Sequence, residues 1–217
     1  MIIKMRNTIL IRSLQPKFLT IIYLITLLIN PFYSLASEEK WKSDPEEFIN
    51  FFSSKGITEI LTSNDTEEIK AKEFRVLFQT TFDINSIAKF VIGRNWKNTN
   101  LSDQERFKEL FEDIIVVTWS RRFKDYDGQS IKVNTSSNDG SNGFLVNSYI
   151  LDKKNSKFNL DWRLRKRQDG LKIVDIIVEG VSMAITYRQD FNSVMRRKGG
   201  IKGLIKAIEK QLAKTKK

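Results

Sequence analysis

The chain has 217 residues, of which 37 are basic and 26 acidic, so its formal net charge is +11. It contains neither cysteine nor histidine. The absence of both excludes disulfides, Ser-His-Asp triads, Cys-His pairs and ordinary zinc sites, and it leaves carboxylates, Lys, Tyr and Ser for any chemistry.

Residues 1–36 have the composition of a secretory signal peptide. They contain four basic and no acidic residues, a largely apolar run over residues 18–29, and small side chains at Ser34 and Ala36. The alternative, an uncleaved anchor, is less favoured because a membrane span needs about 20 apolar residues. We therefore expect cleavage after Ala36, export to the periplasm, and a single domain with its own hydrophobic core over residues 37–217.

Basic residues remain in excess after the first 36 residues are removed. Four of the 37 basic residues lie there, which leaves 33 against 26 acidic residues, a net charge of +7. That charge suits an anionic membrane surface, an acidic partner or nucleic acid, and export argues against nucleic acid. Two basic clusters, at 163–167 and 196–198, are expected to be solvated, or else to meet a lipid phosphate or an acidic partner.

The first part of the exported chain is predicted to be helical. After a loose segment at 38–43, Asp44 caps a helix that Gly56 is expected to interrupt. A second helix begins at Thr66, and a short third helix stops at Gly93.

A long helix follows. Ser102 and Glu105 read as a capping box, and the helix behind them is predicted to run to about Lys124. The run Ile114–Val117 leaves almost no polar side at mid-helix. A helix that is apolar all round is buried on more than one side.

From Ser130 onward the apolar period changes to two, which indicates β-strands. Four antiparallel strands are predicted, beginning near Ser130, Phe144, Phe158 and Leu171. Two helices follow, separated by Gly199-Gly200. The predicted fold class is α+β, with a four-stranded antiparallel sheet covered by helices that precede and follow it and enclosing an apolar cavity.

The apolar pattern also predicts how the last two strands pair. If residues 168–170 form the connecting loop, facing residues have numbers that sum to 338, and apolar side chains then meet on one face. The predicted pairs are Leu164 with Val174, Trp162 with Ile176, and Leu160 with Val178.

Asp175 and Glu179 are candidates for a catalytic carboxylate pair. Four residues along a strand correspond to about 13 Å at roughly 3.3 Å per residue, which exceeds the ~5–10 Å separation of glycosidase pairs. In the predicted register Asp175 faces Arg163, with Arg165 diagonal to it. A cross-strand ion pair therefore explains Asp175 better than catalysis does.

The chain is rich in apolar side chains, with 15 Phe, 4 Trp and 5 Tyr. An ordinary packed core is the simpler explanation from composition alone. The alternative is a cavity between sheet and helices that accepts a lipid, because such pockets are mostly apolar with a few polar groups at the rim. Composition does not separate a filled core from a lined cavity.

The chain resembles the MlaC family, the toluene-tolerance periplasmic phospholipid-binding proteins, most strongly in its C-terminal part. The resemblance extends over about residues 44–210. It is carried by Asp175, Glu179-Gly180-Val181-Ser182, Arg188, Phe191, Gly199-Gly200 and Leu204, with a weaker set at Phe82-Asp83, Ile87-Ala88, Gly93 and Trp96.

This resemblance implies a carrier that buries both tails of one phospholipid between sheet and helices. It also implies the partners: phospholipid, an outer-membrane lipoprotein complex and an inner-membrane ABC transporter, which together maintain outer-membrane lipid asymmetry. No catalytic residue, metal or cofactor is expected apart from the lipid cargo.

We assign site residues on this hypothesis. The predicted tail contacts are Phe111, Ile115, Trp119, Val146, Tyr149, Trp162, Leu164, Val174, Ile176, Val178, Met183, Tyr187 and Phe191. The predicted head-group contacts are Arg163, Arg165 and Arg188, although Arg188 is equally suited to pair with Glu179.

A second class of function uses the same features. A periplasmic chaperone or interaction module would use the apolar surface and the positive charge to hold polypeptide, and it would purify without lipid. A carboxylate-based hydrolase is a distant third interpretation.

Overall fold

A computed structural model describes residues 40–122, 128–151 and 156–215, without the side chains of residues 119–122. The predicted signal peptide, 1–36, with its cleavage point lies outside the described residues. Trp41–Lys217 is one compact unit. Within the described ranges, no helix combines the length and the apolarity needed to cross a membrane.

The first helix of the described residues, α1 (Pro45–Ser53), is capped by Asp44, whose carboxylate accepts the backbone N–H groups of Glu46 and Glu47. The expected interruption at Gly56 is wrong, because the helix continues as a π-helical segment, Ser54–Leu61. A β-carbon at Gly56 would lie 3.3 Å from Leu77 Cδ2. Gly56 therefore lies inside a continuous helical segment, close to the side chain of Leu77, and does not end a helix.

Three further helices precede the sheet: α2 (Glu67–Thr81), α3 (Ile84–Ile92) and α4 (Leu101–Arg122). Thr66 caps α2 as predicted, and α3 ends at Gly93, where a 3₁₀ segment, Gly93–Asn98, begins.

The predicted capping box at the start of α4 is wrong. The side chain of Asn100 accepts the Asp103 backbone N–H at 2.8 Å and donates to the Asp103 carboxylate at 2.9 Å. The cap therefore lies two residues before Ser102. The predicted end near Lys124 falls outside the described residues.

The strands are β1 (Ser130–Asn138), β2 (Gly143–Leu151), β3 (Lys157–Arg167), β4 (Gly170–Val178) and a short β5 (Val181–Ser182). They form an antiparallel sheet in sequence order, β1 to β5. The α+β fold class is therefore confirmed, with one short strand more than expected. Two helices, α5 (Met183–Lys198) and α6 (Ile201–Thr215), complete the described chain.

The predicted register between β3 and β4 is confirmed for the distal half and wrong for the half nearest the turn. Trp162 faces Ile176 and Leu160 faces Val178, as expected. Leu164, however, faces Ile173 and not Val174. Val174 is the extra residue of a β-bulge, because the turn contains only residues 168 and 169 and Gly170 already pairs with Arg167.

The segment expected to be loose at 38–43 makes tertiary contacts over its described part. Trp41 stacks on Phe51 with ring centroids 3.9 Å apart. The Lys42 carbonyl accepts the backbone N–H of Leu171 at 2.8 Å. The prediction was wrong because a polar sequence does not reveal an aromatic stack or a backbone hydrogen bond.

The sheet has one face toward the helices, which we call the inner face; it carries Val146, Trp162 and Leu164, all nearly fully buried. Helix α1 packs on β1 and β2, and α2, α3 and α5 contact β4. Helix α4 packs against α2, α3 and α6. Its central residues Ile114, Ile115 and Val116 are all buried, in agreement with the prediction of burial on several sides.

Candidate functional site

One end of the inner face is a closed core. The Trp162 ring meets Phe52 of α1 edge-on at 5.3 Å, and its indole N–H donates to Ser148 Oγ at 3.0 Å. Phe52 in turn meets Phe82 at 5.8 Å. Trp162 is 2% exposed and Val146 0%, so aromatic side chains and a satisfied polar pair fill this region.

The other end of the same face is open. Ile150 faces Phe158, and Leu160 faces Val178, so all four side chains lie on the inner face with Trp162. Phe158 is nevertheless 49% exposed and Val178 37% exposed. Apolar side chains on a core-facing surface are normally covered, so this exposure marks a place where an apolar ligand would remove hydrocarbon surface from water.

We call this open end the inner-face mouth. It consists of Ile131, Ile150, Phe158, Ile176 and Val178, which occupy paired positions on four neighbouring strands. Ile131, Ile150 and Ile176 are half-buried and pack against the main core. The mouth is therefore continuous with the buried interior.

A second apolar group joins the helices α4 and α5. Phe111 meets Tyr187 edge-on at 5.6 Å and Phe191 at 6.1 Å, and Phe107 meets Phe191 at 5.8 Å. Edge-to-face pairs at these distances stabilise packing beyond the area that they bury. Phe111 and Phe191 are buried, whereas Tyr187 is half-buried.

The predicted tail contacts divide into groups according to where the structure places them. Three lie in the α4–α5 aromatic group, two belong to the mouth, and three lie in the closed core. These are, in that order, Phe111, Tyr187 and Phe191; Ile176 and Val178; and Val146, Trp162 and Leu164. Ile115 is buried on α4, and Met183 is half-buried at the start of α5.

Besides Ile115 and Met183, three predicted tail residues lie outside these groups. Tyr149 lies on the opposite, outer face of β2, where the ammonium of Lys157 sits 4.0 Å from its ring centroid. Val174 is the bulge residue of β4. The side chain of Trp119 lies outside the described residues.

Sequence reasoning missed three mouth residues: Ile131, Ile150 and Phe158. The signal was present, because the alternation that places Trp162 inside also places Phe158 inside, four residues earlier. Pairing of β2 with β3 then adds Ile150, which faces Phe158, and pairing with β1 adds Ile131.

Two of the three predicted head-group arginines are already paired with carboxylates on the outer face. Arg163 contacts Asp139 at 3.0 Å and Asp175 at 3.0 Å, and Arg165 contacts Asp139 at 2.8 Å. The hydrogen bond from Arg165, helped by the positive charge of both arginines, lowers the pKa of Asp139 below its ordinary value although desolvation opposes it.

Arg188 has a different environment. Its guanidinium lies over the Phe90 ring at 4.9 Å from the centroid. It also contacts Gly93, where a β-carbon would be 3.0 Å from Nη2 of Arg188. The alternative partner, Glu179, instead accepts the backbone N–H of Asn159. Among the described residues, no carboxylate forms an ion pair with Arg188.

Asp175 has a structural role, because it joins β4 to the start of α5. One carboxylate oxygen accepts the backbone N–H of Ala184 at 2.9 Å. The other accepts the Ser182 hydroxyl at 2.6 Å and the Arg163 guanidinium at 3.0 Å. The predicted cross-strand pair is therefore present, and the three hydrogen bonds that this nearly buried carboxylate accepts connect β3, β4 and the start of α5.

A separate surface groove of about 600 Å³ lies between α2, α4 and the β3–β4 turn. Charged and amide side chains line most of it, including Glu105, Glu109, Asp169 and Lys172. Such a lining does not suit acyl chains. The described residues also contain no cluster of acidic side chains with metal-binding geometry.

Two comparisons relate this chain to known proteins. The profile of a protein family described as MlaC protein matches residues 53–210. The fold is similar to that of a phospholipid-binding protein from Ralstonia solanacearum, solved in complex with a phospholipid. The TM-score is 0.72 at 18% sequence identity, and the match covers 81% of this chain and 100% of the other. At this identity the structural likeness shows a shared fold.

Proposed function

Because this chain belongs to the MlaC family of phospholipid-binding proteins, we propose that it carries phospholipid through the periplasm. In this proposal residues 1–36 direct export and are removed after Ala36. The carrier then moves lipid between an outer-membrane lipoprotein complex and an inner-membrane ABC transporter, and so maintains the lipid asymmetry of the outer membrane. Membership of the family makes the chain a lipid-binding carrier and not an enzyme.

The observation that carries the proposal is the inner-face mouth. Phe158 and Val178 are 49% and 37% exposed on the face that also forms the core. We propose that acyl chains enter there, between the sheet and the helices, and contact Ile176 and Val178 first. The related Ralstonia solanacearum protein, with the same fold, holds a phospholipid, which supports the same kind of ligand here.

The energetics of lipid transfer explain why such a protein needs a cavity and no reactive group. Each CH₂ moved from hydrocarbon to water costs about 0.8 kcal/mol, so two acyl chains with roughly thirty such groups cost about 24 kcal/mol. A carrier must recover nearly all of this by burial while binding no more tightly than the membranes with which it exchanges. No bond is made or broken, which agrees with a chain without cysteine and histidine.

The test is native mass spectrometry of the protein purified from the periplasm without detergent, combined with lipid extraction. We expect one phospholipid per protein and a mature N-terminus at Ser37. A folded protein that carries no lipid and suppresses aggregation of unfolded polypeptide would contradict the carrier proposal and favour the chaperone or interaction module.

A further inference from the structure

The exposed side of the last helix carries a regular row of positive charge. Lys202, Lys206, Lys210 and Lys214 are all exposed, and they are spaced four residues apart on α6. This spacing places them on one side of the helix, with a rise of about 6 Å between neighbours. We call these four residues the lysine row.

The fold does not neutralise the lysine row. Within the described residues, none of the four lysines forms an ion pair with a carboxylate. The acidic residue of the same helix, Glu209, pairs instead with Arg106 of α4 at 2.8 Å. The three basic residues 196–198 at the end of α5 are also exposed, and they extend the positive surface across the Gly199-Gly200 turn.

The row also costs the helix some stability. Like charges four residues apart repel each other, by a few tenths of a kcal/mol per pair in isolated helices. Lys202 lies in the first turn of α6, where the helix dipole disfavours a positive charge. Since no ion pair among the described residues accounts for this arrangement, the charge is suited to an external partner.

The apolar side of α6 limits what that partner can be. Leu204, Ile205, Ile208 and Leu212 are buried, and α6 packs against α4 and α5, so the helix has no free apolar side to insert into a bilayer. None of the large apolar side chains exposed in the described ranges lies on α6. Protein interfaces usually need such an apolar or aromatic anchor. A delocalised anionic surface needs only accessible, flexible cations.

We propose that the lysine row holds the protein electrostatically against the anionic surface of a lipid bilayer. The helix lies along the surface, and binding uses the lipid phosphates without insertion and without a defined pocket. This inference does not depend on the cargo, because the row is on α6 and the mouth is formed by the sheet. It adds a means by which a carrier would stay close to a membrane.

The experiment is a vesicle flotation assay with the exported, purified protein. Phosphatidylcholine vesicles are compared with vesicles that also contain phosphatidylglycerol, at low and at high salt. The variant is the quadruple substitution K202Q/K206Q/K210Q/K214Q. The matched control is K72Q/K89Q/K97Q/K132Q, which removes the same charge from exposed lysines scattered over α2, α3, the 3₁₀ segment and β1.

We expect the wild-type protein to bind only the anionic vesicles and to be released by high salt. The row variant should lose binding by roughly several hundredfold, since each of the four lysines near an anionic surface changes partitioning by roughly fivefold. The control should remain within about threefold of the wild-type protein because its lysines are scattered. Circular dichroism should show both variants folded.

Three results would overturn the proposal: no binding of the wild-type protein to anionic vesicles at low salt, equal binding to neutral vesicles, or equal losses in the two quadruple variants. None of these depends on lipid load. A protein without bound phospholipid would contradict the proposed carrier function and leave the membrane-surface proposal unaffected.

Discussion

Asp175 and Ser182 are joined by a hydrogen bond of 2.6 Å that links the last long strand to the helix after it. The same Ser182 oxygen accepts the backbone N–H of Ile185 and so caps α5. Asp175 also accepts the N–H of Ala184. Asp175 and Ser182 therefore form a structural junction between β4 and α5. Asp175 orients α5, whose side chains Tyr187 and Phe191 contact α4.

Asp175→Ala should destabilise the protein by about 1–3 kcal/mol, because it leaves the buried N–H of Ala184 without its acceptor and removes one of the two carboxylates that bind Arg163. Urea unfolding followed by circular dichroism measures the loss. Asp161→Ala is the control, since in the described part of the chain the Asp161 carboxylate accepts one side-chain hydrogen bond, from Asn147. Equal losses in the two variants would contradict the central role of Asp175.

Ile176→Asp should abolish recovery of lipid with the exported protein, whereas Ile177→Asp should not. The two isoleucines are neighbours in β4 and both half-buried, but Ile176 faces inward opposite Trp162 and Ile177 faces outward opposite Asp161. Native mass spectrometry of both folded variants gives the lipid load. A normal load in a folded Ile176→Asp protein would rule out the assignment of this residue, and the same measurement applied to Val174→Asp tests the bulge residue.

Arg188→Gln should reduce the lipid load or shift the head-group distribution while preserving most of the stability. Arg188 lies over an aromatic ring and, in the described part of the chain, has no carboxylate that compensates its charge. Arg165→Gln should instead lower stability, because Arg165 binds Asp139 at 2.8 Å. For each variant, the extracted lipid and the midpoint of urea unfolding are measured. A loss of lipid in Arg165→Gln, with a loss of stability but none of lipid in Arg188→Gln, would assign the head group to Arg165.

Stability should fall as the pH drops below about 4, in part through Asp139. Arg165 and Arg163 lower the pKa of Asp139 in the folded protein below its ordinary value of 3.8. A lowered folded-state pKa contributes stability above the unfolded-state value, and this contribution disappears as the pH falls through the folded-state value. Asp139→Asn should therefore be less stable than the wild-type protein at pH 7, with a difference that narrows toward pH 3. A pH-independent difference in urea midpoint would argue against this explanation.

Gly143→Ala should destabilise the protein by about 1–3 kcal/mol through overpacking. A β-carbon there would lie 2.5 Å from the Leu164 carbonyl oxygen and 2.2 Å from Nη1 of Arg165. Gly56→Ala is the contrasting variant. Its β-carbon would lie 3.3 Å from Cδ2 of Leu77, the end of a flexible side chain, and alanine is the better helix former. Thermal unfolding should show a lower midpoint for the first variant and an equal or higher one for the second.

The sequence predicted the layers of the fold because alternation and helical spacing report burial directly. It predicted the register of β3 and β4 only from Leu160 to Arg163, since Val174 is apolar like Ile173 and nothing in the pattern marks it as the bulge residue. The cap at Asn100 was missed because Ser102 and Glu105 fit the same local rule. A local sequence pattern does not distinguish between two possible capping residues that are two positions apart, such as Asn100 and Ser102.

The candidate site was harder to predict for a similar reason. Val146 and Tyr149 were both predicted as tail contacts because both side chains are largely apolar. They are three residues apart in β2, and an odd spacing in a strand places two side chains on opposite faces. Phe158 was overlooked because its position near the start of β3 gave no sign of exposure. Whether an inward-facing side chain is covered depends on helices that are distant in sequence, and only the tertiary structure shows this.

The hydrogen bond from Leu171 to the carbonyl of Lys42 also bears on the order in which the molecule can be completed. A polypeptide that crosses a membrane with its N-terminus first presents Trp41 and α1 long before β4 arrives. Until β1 and β2 follow, the apolar side of α1, with Phe48 and Phe52, has no sheet to pack on. In the proposed export the chain therefore stays incompletely folded until β4 has crossed the membrane, and during that interval its exposed aromatic residues are prone to aggregation.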